Sequence, residues 1–432
     1  MPYQRGKRLP GERGSKIGHL EVLKSELVNN LIKSFQINTP PSTSVKPPFQ
    51  SYQPSEKPLS IIFGIDGSLQ ILESGSSPYK RIAFVKTALL RLDQYAISKI
   101  DKNSPHPFAL RDILSDSALY HATVFPLKNV VISGVNTYDA VRKIIFDSLQ
   151  DKSLQGEPYE TLKWIIYEKW SGNRKPLQNI NCPQCEESKA FLNYDDDTGK
   201  CPNCNGDLYL SDVLGFHIDM DPDFAPDTVA TAYMNIHELL LLFTGIRIYW
   251  QNNKEILPEC LFVRDGPMYL RYHYKVLLKP IRRFFQFAKD QGVPIHIISQ
   301  EKTGKFADHL EILDRRMKAG EIFIPNEDYL FKEILQRRKS IRAYGEDSNL
   351  GSKMFVKLND YHKMVLNIPI WKMNPQISDL MGFDRIMATL PTIISSQYEG
   401  ALLPIELAHG IASLSTYPSA KILKIFTKAQ GI

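Results

Sequence analysis

An α/β fold, a mixed sheet flanked by helices, is what this sequence predicts, and three observations carry the prediction. Ile61-Ile62-Phe63-Gly64-Ile65-Asp66-Gly67-Ser68 and Cys260-Leu261-Phe262-Val263-Arg264-Asp265-Gly266-Pro267 share one plan: an apolar run, an aspartate where it ends, then a tight turn. Such runs of β-branched and aromatic residues bounded by turn formers read as interior strands. Segments of helical period, 227–243 and 272–289, lie between and around the strands. The order strand, helix, strand over 260–298 then implies a right-handed βαβ unit with a parallel pair.

Taking the chain in order, residues 1–14 are basic and rich in Gly and Arg, and read as a mobile start. Leu20, Leu23, Leu27, Leu31 and Ile32 recur at helical spacing within 16–35, so a helix that packs on the core or on a second subunit is expected. Pro40, Pro41, Pro47, Pro48, Pro54 and Pro58 mark 36–58 as an extended linker. The chain therefore divides into a basic helix and linker over 1–58 and a core over 59–425. A second apolar run, 81–92, follows the first closely enough to pair with it antiparallel. Between 112 and 151 the pattern mixes helix with a short strand at 129–132, and 159–170 reads as a helix.

Four of the five cysteines form a pattern. Cys182-Pro-Gln-Cys185 and Cys201-Pro-Asn-Cys204 are two C-x2-C knuckles separated by fifteen residues, which suits a tetrahedral Zn²⁺ site with a short hairpin between the knuckles. Four thiolates close such a site, so the zinc in this inserted module, 180–207, is structural rather than catalytic. Cys260, inside a strand, reads as a small core residue.

Helix 227–243 carries Glu238 among apolar neighbours, with Asp227 and Thr228 as capping candidates. Strand 260–265, the basic helix 272–289 (Lys275, Lys279, Arg282, Arg283) and strand 294–298 lead to the loop holding Lys302 and Lys305. Loops at the carboxyl ends of parallel strands form the working face, where these two lysines can contact a phosphate or simply face solvent. Arg337-Arg338-Lys339 reads as a solvated helix end. The segments 354–358 and 363–370 are strand-like, and Pro404-Ile-Glu-Leu-Ala-His409 begins a helix that carries the histidine.

Two aspartates at the rims of neighbouring strands would repel each other and attract a divalent cation, because burying an unpaired carboxylate costs several kcal/mol. A single Asp-Gly is more often only a turn. The pair gains weight from Glu238 and His409, although a lone histidine on an apolar helix is more often a core residue.

At 432 residues, 43% hydrophobic and 23% charged, the chain has the composition of a soluble globular protein with a large core. The longest uninterrupted aliphatic stretch, 239–243, is too short to span a bilayer and the N-terminus shows no secretory leader, so a cytoplasmic location without membrane is expected. The net charge of +6 is compatible with a polyanionic partner without demanding one.

The joint order of these motifs, strand-Asp66-Gly-Ser, helical Glu238, strand-Asp265-Gly-Pro, a strand with a Ser-x-x-Lys-Thr-like loop, and Pro-x-x-Leu-Ala-His409, resembles the NurA nuclease family over most of 60–415. The resemblance implies an RNase H-like core related to the Piwi domain, Mn²⁺-dependent (or Mg²⁺-dependent) DNA cleavage, and a HerA-like hexameric ATPase as partner. It implies that Asp66, Glu238, Asp265 and His409 are the metal ligands and catalytic residues. The zinc knuckle is an insertion relative to the minimal family pattern, and 92–170 carries no motif that aligns with it. Two ions about 4 Å apart, held by carboxylates and an imidazole, are suited to phosphodiester cleavage, and mixed O and N ligands suit Mn²⁺ or Mg²⁺. DNA end processing and anti-phage defence are both compatible roles, a homodimer is expected, and the reading from another class is a non-catalytic nucleic-acid-binding protein that docks through its zinc module.

Overall fold

The computed structural model describes residues 25–35, 47–75, 77–93, 118–132, 134–172, 180–186, 189–190, 192–395, 398, 400–415 and 418–429. The chain divides into two compact units, 1–44 and 45–432. In the first, helix α1 (Glu26–Ser34) begins where the Ser25 hydroxyl accepts from the Val28 N–H, and Leu27, Leu31 and Ile32 are exposed along it. The remainder of the helix expected over 16–35 lies outside the described residues, apart from its terminal Phe35.

The second unit begins inside the stretch read as a linker. There β1 (Gln50–Ser51) forms a short strand, so 47–58 is part of the core rather than a spacer. β2 (Ile61–Glu73), β3 (Arg81–Asp93) and β4 (Ala118–Lys128) follow as an antiparallel meander. The expected turn at Asp66-Gly67 is absent. β2 continues through both residues because its pairing with β3 is unbroken, from Ile61 opposite Asp93 to Glu73 opposite Arg81. The strand expected at 129–132 is instead only a bridge between Ile132 and Val135, the true strand having ended at Lys128.

Helices α2 (Thr137–Leu149) and α3 (Glu157–Ile166) come next. Two small ribbons follow: β5 (Ile180–Asn181) with β6 (Lys189–Ala190), and β7 (Thr198–Lys200) with β8 (Asp207–Tyr209), each antiparallel. Helix α4 (Asp227–Asn252) is nine residues longer than its sequence pattern predicts. Neither expected cap is used as one, since Asp227 bonds Arg81 and Pro226 takes the cap position. By length and composition α4 could cross a membrane, but 83% of its most apolar window is buried inside the fold, as a core helix requires.

β9 (Cys260–Asp265), α5 (Leu278–Asp290) and β10 (His296–Glu301) form the expected strand-helix-strand unit, with β9 and β10 parallel. Then come α6 (Lys305–Asp314), β11 (Glu321–Phe323), the hairpin β12 (Gly351–Lys357) and β13 (Lys363–Pro369), and α7 (Phe383–Thr389), α8 (Leu403–Ala412) and α9 (Ser419–Ala429). The nine principal strands make one mixed sheet in the order β1-β11-β12-β13-β10-β9-β2-β3-β4. Only β2–β9 and β9–β10 are parallel.

Side-chain alternation assigns the two faces. Phe63, Ile65 and Phe262 join Leu240 of α4 and Phe285 of α5 in one core, whereas Ile62, Leu261, Val263 and Leu366 pack with Ile386 of α7 and Ile405 of α8 in another. β9 pairs with β2 only from Ile61 to Ile65 and then ends at Asp265, while β2 runs on to Glu73. The sheet therefore opens into a notch beside Asp66.

Candidate metal centre

Asp66 sits at the foot of this notch, 5% exposed, and three further groups converge on it from different elements. From the α8 side comes His409, whose Nδ1 lies 2.7 Å from Asp66 Oδ2 across 343 residues of sequence. The close approach of α8 depends on Gly64, because a methyl group there would run into the carbonyl of Pro404 at the start of that helix. From the opposite face comes Glu238 on α4. A Cβ on Gly67 would lie 2.5 Å from Glu238 Oε1 and 2.7 Å from Met234 Cγ. Two glycines, one on each side of Asp66 and each facing a different layer, thus let both helices close on the same stretch of β2.

Asp265 ends β9 and pairs in register with Gln300 of β10. Lys302, in the loop after β10, holds its Nζ 2.9 Å from Asp265 Oδ1, and Lys305 is exposed at the first position of α6. Lys302 is therefore on the rim with Asp265, as the parallel-strand geometry predicts, and Lys305 lies three residues further along the chain.

The fourth interaction was not singled out in the sequence. Arg264 is 5% exposed and donates from Nε and Nη2 to Glu238 Oε2, at 3.0 and 2.7 Å. A usable signal exists in the strand pattern. Arg264 alternates with Asp265 and so faces the α4 layer, where a buried arginine requires an acid. The buried reading of Glu238, 3% exposed and paired, is the one observed.

These charges feel one another. Burial pushes the Glu238 carboxyl up to about 7; Arg264 opposes this, and Asp66 and Asp265 add to it. The His409 imidazole is raised from its ordinary value first by its hydrogen bond to Asp66, with Asp265 contributing and Lys302 opposing. Each acid accordingly has one basic partner from the chain: His409 for Asp66, Arg264 for Glu238 and Lys302 for Asp265. Three carboxylates and an imidazole are the kind of O and N donors that hard divalent cations take, but among the described residues no three of these groups bring their ligand atoms within 4.8 Å of one another. The buried Oδ1 of Asp265 has the Lys302 ammonium beside it but no well-formed hydrogen bond.

The cysteines are arranged differently. Cys182, Cys185, Cys201 and Cys204 bring all four sulfurs within 4.8 Å of one another, the one group of three or more potential ligands so gathered among the described residues. Cys182 and Cys204 sulfurs are 3.7 Å apart and those of Cys185 and Cys201 3.8 Å. A tetrahedron with Zn–S bonds of about 2.3 Å has edges of about 3.8 Å, whereas a disulfide would bring two sulfurs to about 2.05 Å. The two knuckles repeat each other. Gln184 and Asn203 N–H groups donate to Cys182 and Cys201 sulfurs at 3.4 Å, and Glu186 and Asn205 turn the chain with φ of 55° and 57°. Each knuckle lies in the turn of its own ribbon, so the single intervening hairpin expected from the spacing is replaced by two.

Helix α2 fastens this module to the core. Arg142 bonds Asp212 and the Asp207 carbonyl, Gln184 donates to Asp139, and the Tyr138 hydroxyl donates to the Pro183 carbonyl. Cys260 is fully buried away from the cluster, as a core residue. No family model matches the chain, and no curated protein matches it.

Proposed function

We propose that this chain is a metal-dependent DNA nuclease of the NurA type, with an RNase H-like core and a structural Zn²⁺ in its four-cysteine module. The convergence of Asp66, Glu238, Asp265 and His409 where β9 ends beside β2 carries this reading. The three-stranded meander β2–β4, joined through α4 to the parallel pair β9 and β10, supports the RNase H-like part.

Asp66, Glu238, Asp265 and His409 would hold Mn²⁺ or Mg²⁺. Such ions supply charge stabilisation to the attacking and leaving oxygens of a phosphodiester. Lys302 and Lys305 hold the phosphate backbone on the rim. Notch and acids are reached from the ends of the strands, which suits a DNA strand laid across that rim. A HerA-like hexameric ATPase is the partner this reading carries, in DNA end processing or anti-phage defence, in the cytoplasm and without membrane. A homodimer contact falls to the exposed stripe of α1.

One observation favours a non-catalytic nucleic-acid-binding protein: each acid already has a basic partner from the chain, as would suit acids kept for structure. DNA degradation by purified protein with Mn²⁺, Mg²⁺ or chelator, beside Asp265→Ala, separates the two. Cleavage that needs the ion and vanishes in the variant is expected. Absence of cleavage even with a HerA-type ATPase present, together with DNA binding that survives Asp265→Ala, would leave the binding protein.

A further inference from the structure

Among the described residues, Arg264 is a buried cation at the notch for which the nuclease reading has no use. Every nitrogen of its guanidinium donates: Nε and Nη2 to Glu238 Oε2, Nη1 to the Pro267 carbonyl at 3.0 Å, and Nη2 also to Asn235 Oδ1 at 3.3 Å. Two donors on one carboxylate oxygen, with the other oxygen untouched by the guanidinium, is an asymmetric arrangement. It fixes the rotation of the carboxylate. The untouched Oε1 is the atom that overhangs Gly67, next in sequence to Asp66.

We infer that Arg264 is a positioning residue: by holding Oε2 it presents Glu238 Oε1 over Gly67 as the single ligand atom offered to the cation bound with Asp66. This rests on the nuclease reading and adds to it a division of labour between the two oxygens of Glu238. The planar fork of arginine, anchored at its far end by Pro267 and Asn235, is what makes the rotation fixed. A lysine would keep the charge but act as a point donor on a flexible stem. Gly67 is the other half of the device. Without a side chain there, Oε1 can lie against the strand; with a methyl group, the same oxygen is pushed away from the opposite direction.

The test uses the full chain with Arg264→Lys and Gly67→Ala. Mn²⁺ binding is followed by the paramagnetic resonance of free Mn²⁺, and DNA cleavage is measured as a function of Mn²⁺ concentration. Loss of a residue that orients a metal ligand costs about ten- to a hundredfold in metal affinity. Both variants are therefore expected to raise the half-saturating Mn²⁺ concentration at least about tenfold, in binding and in cleavage alike, while melting as cooperatively as the parent. A role confined to stability would lower the melting temperature and leave the half-saturation unchanged in the folded fraction. A folded Arg264→Lys variant with the parent's Mn²⁺ half-saturation would overturn the inference. If that variant does not fold, unchanged half-saturation in Gly67→Ala overturns it instead. Failure of the nuclease reading looks different, because the parent chain itself would then neither bind Mn²⁺ at the notch nor cleave DNA.

Discussion

Cys182, Cys185, Cys201 and Cys204 come from one short segment and gather their sulfurs within 4.8 Å of one another, whereas Asp66 and His409 are 343 residues apart and meet only because α8 closes on β2. The thiol site is local, closed and repeated in its own turns. The acid site is assembled from several elements of the sheet and its helices, open at a strand end, and its acids are paired with Arg264, Lys302 and His409. The contrast teaches which kind of site depends on what: the first on two knuckle turns, the second on every layer being in place.

The largest expected effect separates the two directly. Burial pushes the Cys182 thiol up to about 12, so a buried sulfur of this kind is a poor anion without a cation beside it. Structural zinc contributes about 10–16 kcal/mol of binding free energy in small modules. Cys201→Ser, or treatment with a strong chelator, should release one Zn²⁺ per chain by metal analysis and open the 180–207 segment to proteolysis, with the sheet still folded. Parent protein that carries no zinc would break this half of the comparison.

Next in size is the acid site. Asp66→Asn should lower Mn²⁺-dependent DNA cleavage by about 10²–10³-fold, the usual cost of removing one group that stabilises developing charge. Its zinc content should equal the parent's, because the two sites share no ligand. Equal cleavage rates would remove Asp66 from the proposed chemistry, and lost zinc would mean that the sites are coupled through α2 and α4.

This difference also explains what could be read in advance. The C-x2-C spacing is a complete description of the thiol site, so all four ligands are legible, and only the number of hairpins is not. Strand cores around 61–65 and 260–265 are legible because their apolar runs are long and bounded. The position of Asp66 within its strand is not, since Asp-Gly is a turn signal and only the unbroken register with β3 keeps it extended. Likewise β1 lies among prolines that signal a linker, and its partner β11 is some 270 residues away. Arg264 was written in the pattern, as a charge in an otherwise apolar strand, but its meaning depends on α4 lying over it.

A third expectation sharpens the electrostatic side of the comparison. Burial raises the Glu238 carboxyl from 4.5 to about 7, so between those pH values the folded chain binds more protons than the unfolded one. The favourable contribution is complete below about pH 4.5 and is lost as pH rises to 7, after which it changes no further. Integrated over that window the effect is on the order of a few kcal/mol. Denaturant unfolding without added Mn²⁺ should therefore show the parent losing stability relative to Glu238→Gln from pH 5 to pH 8. A difference independent of pH would mean that Arg264 keeps Glu238 ionised throughout.

The smallest effect tests how far the acid site depends on packing. A methyl at Gly64 would overlap the Pro404 carbonyl, which is backbone and cannot swing aside, so Gly64→Ala must move the first turn of α8. Overpacking of this kind costs about 1–3 kcal/mol. The same helix carries His409, and the hydrogen bond to Asp66 is the main cause of that imidazole's raised pKa. In Gly64→Ala the His409 titration, followed by NMR, should fall back toward the ordinary histidine value while the zinc module remains intact. The sign follows from geometry: moving the ring away removes the favourable contact with the carboxylate more than it changes burial, because the His409 side chain is already 55% exposed. An unchanged titration would show that α8 absorbs the methyl by sliding along β2 without turning His409 away, and that Gly64 is not what holds the pair together.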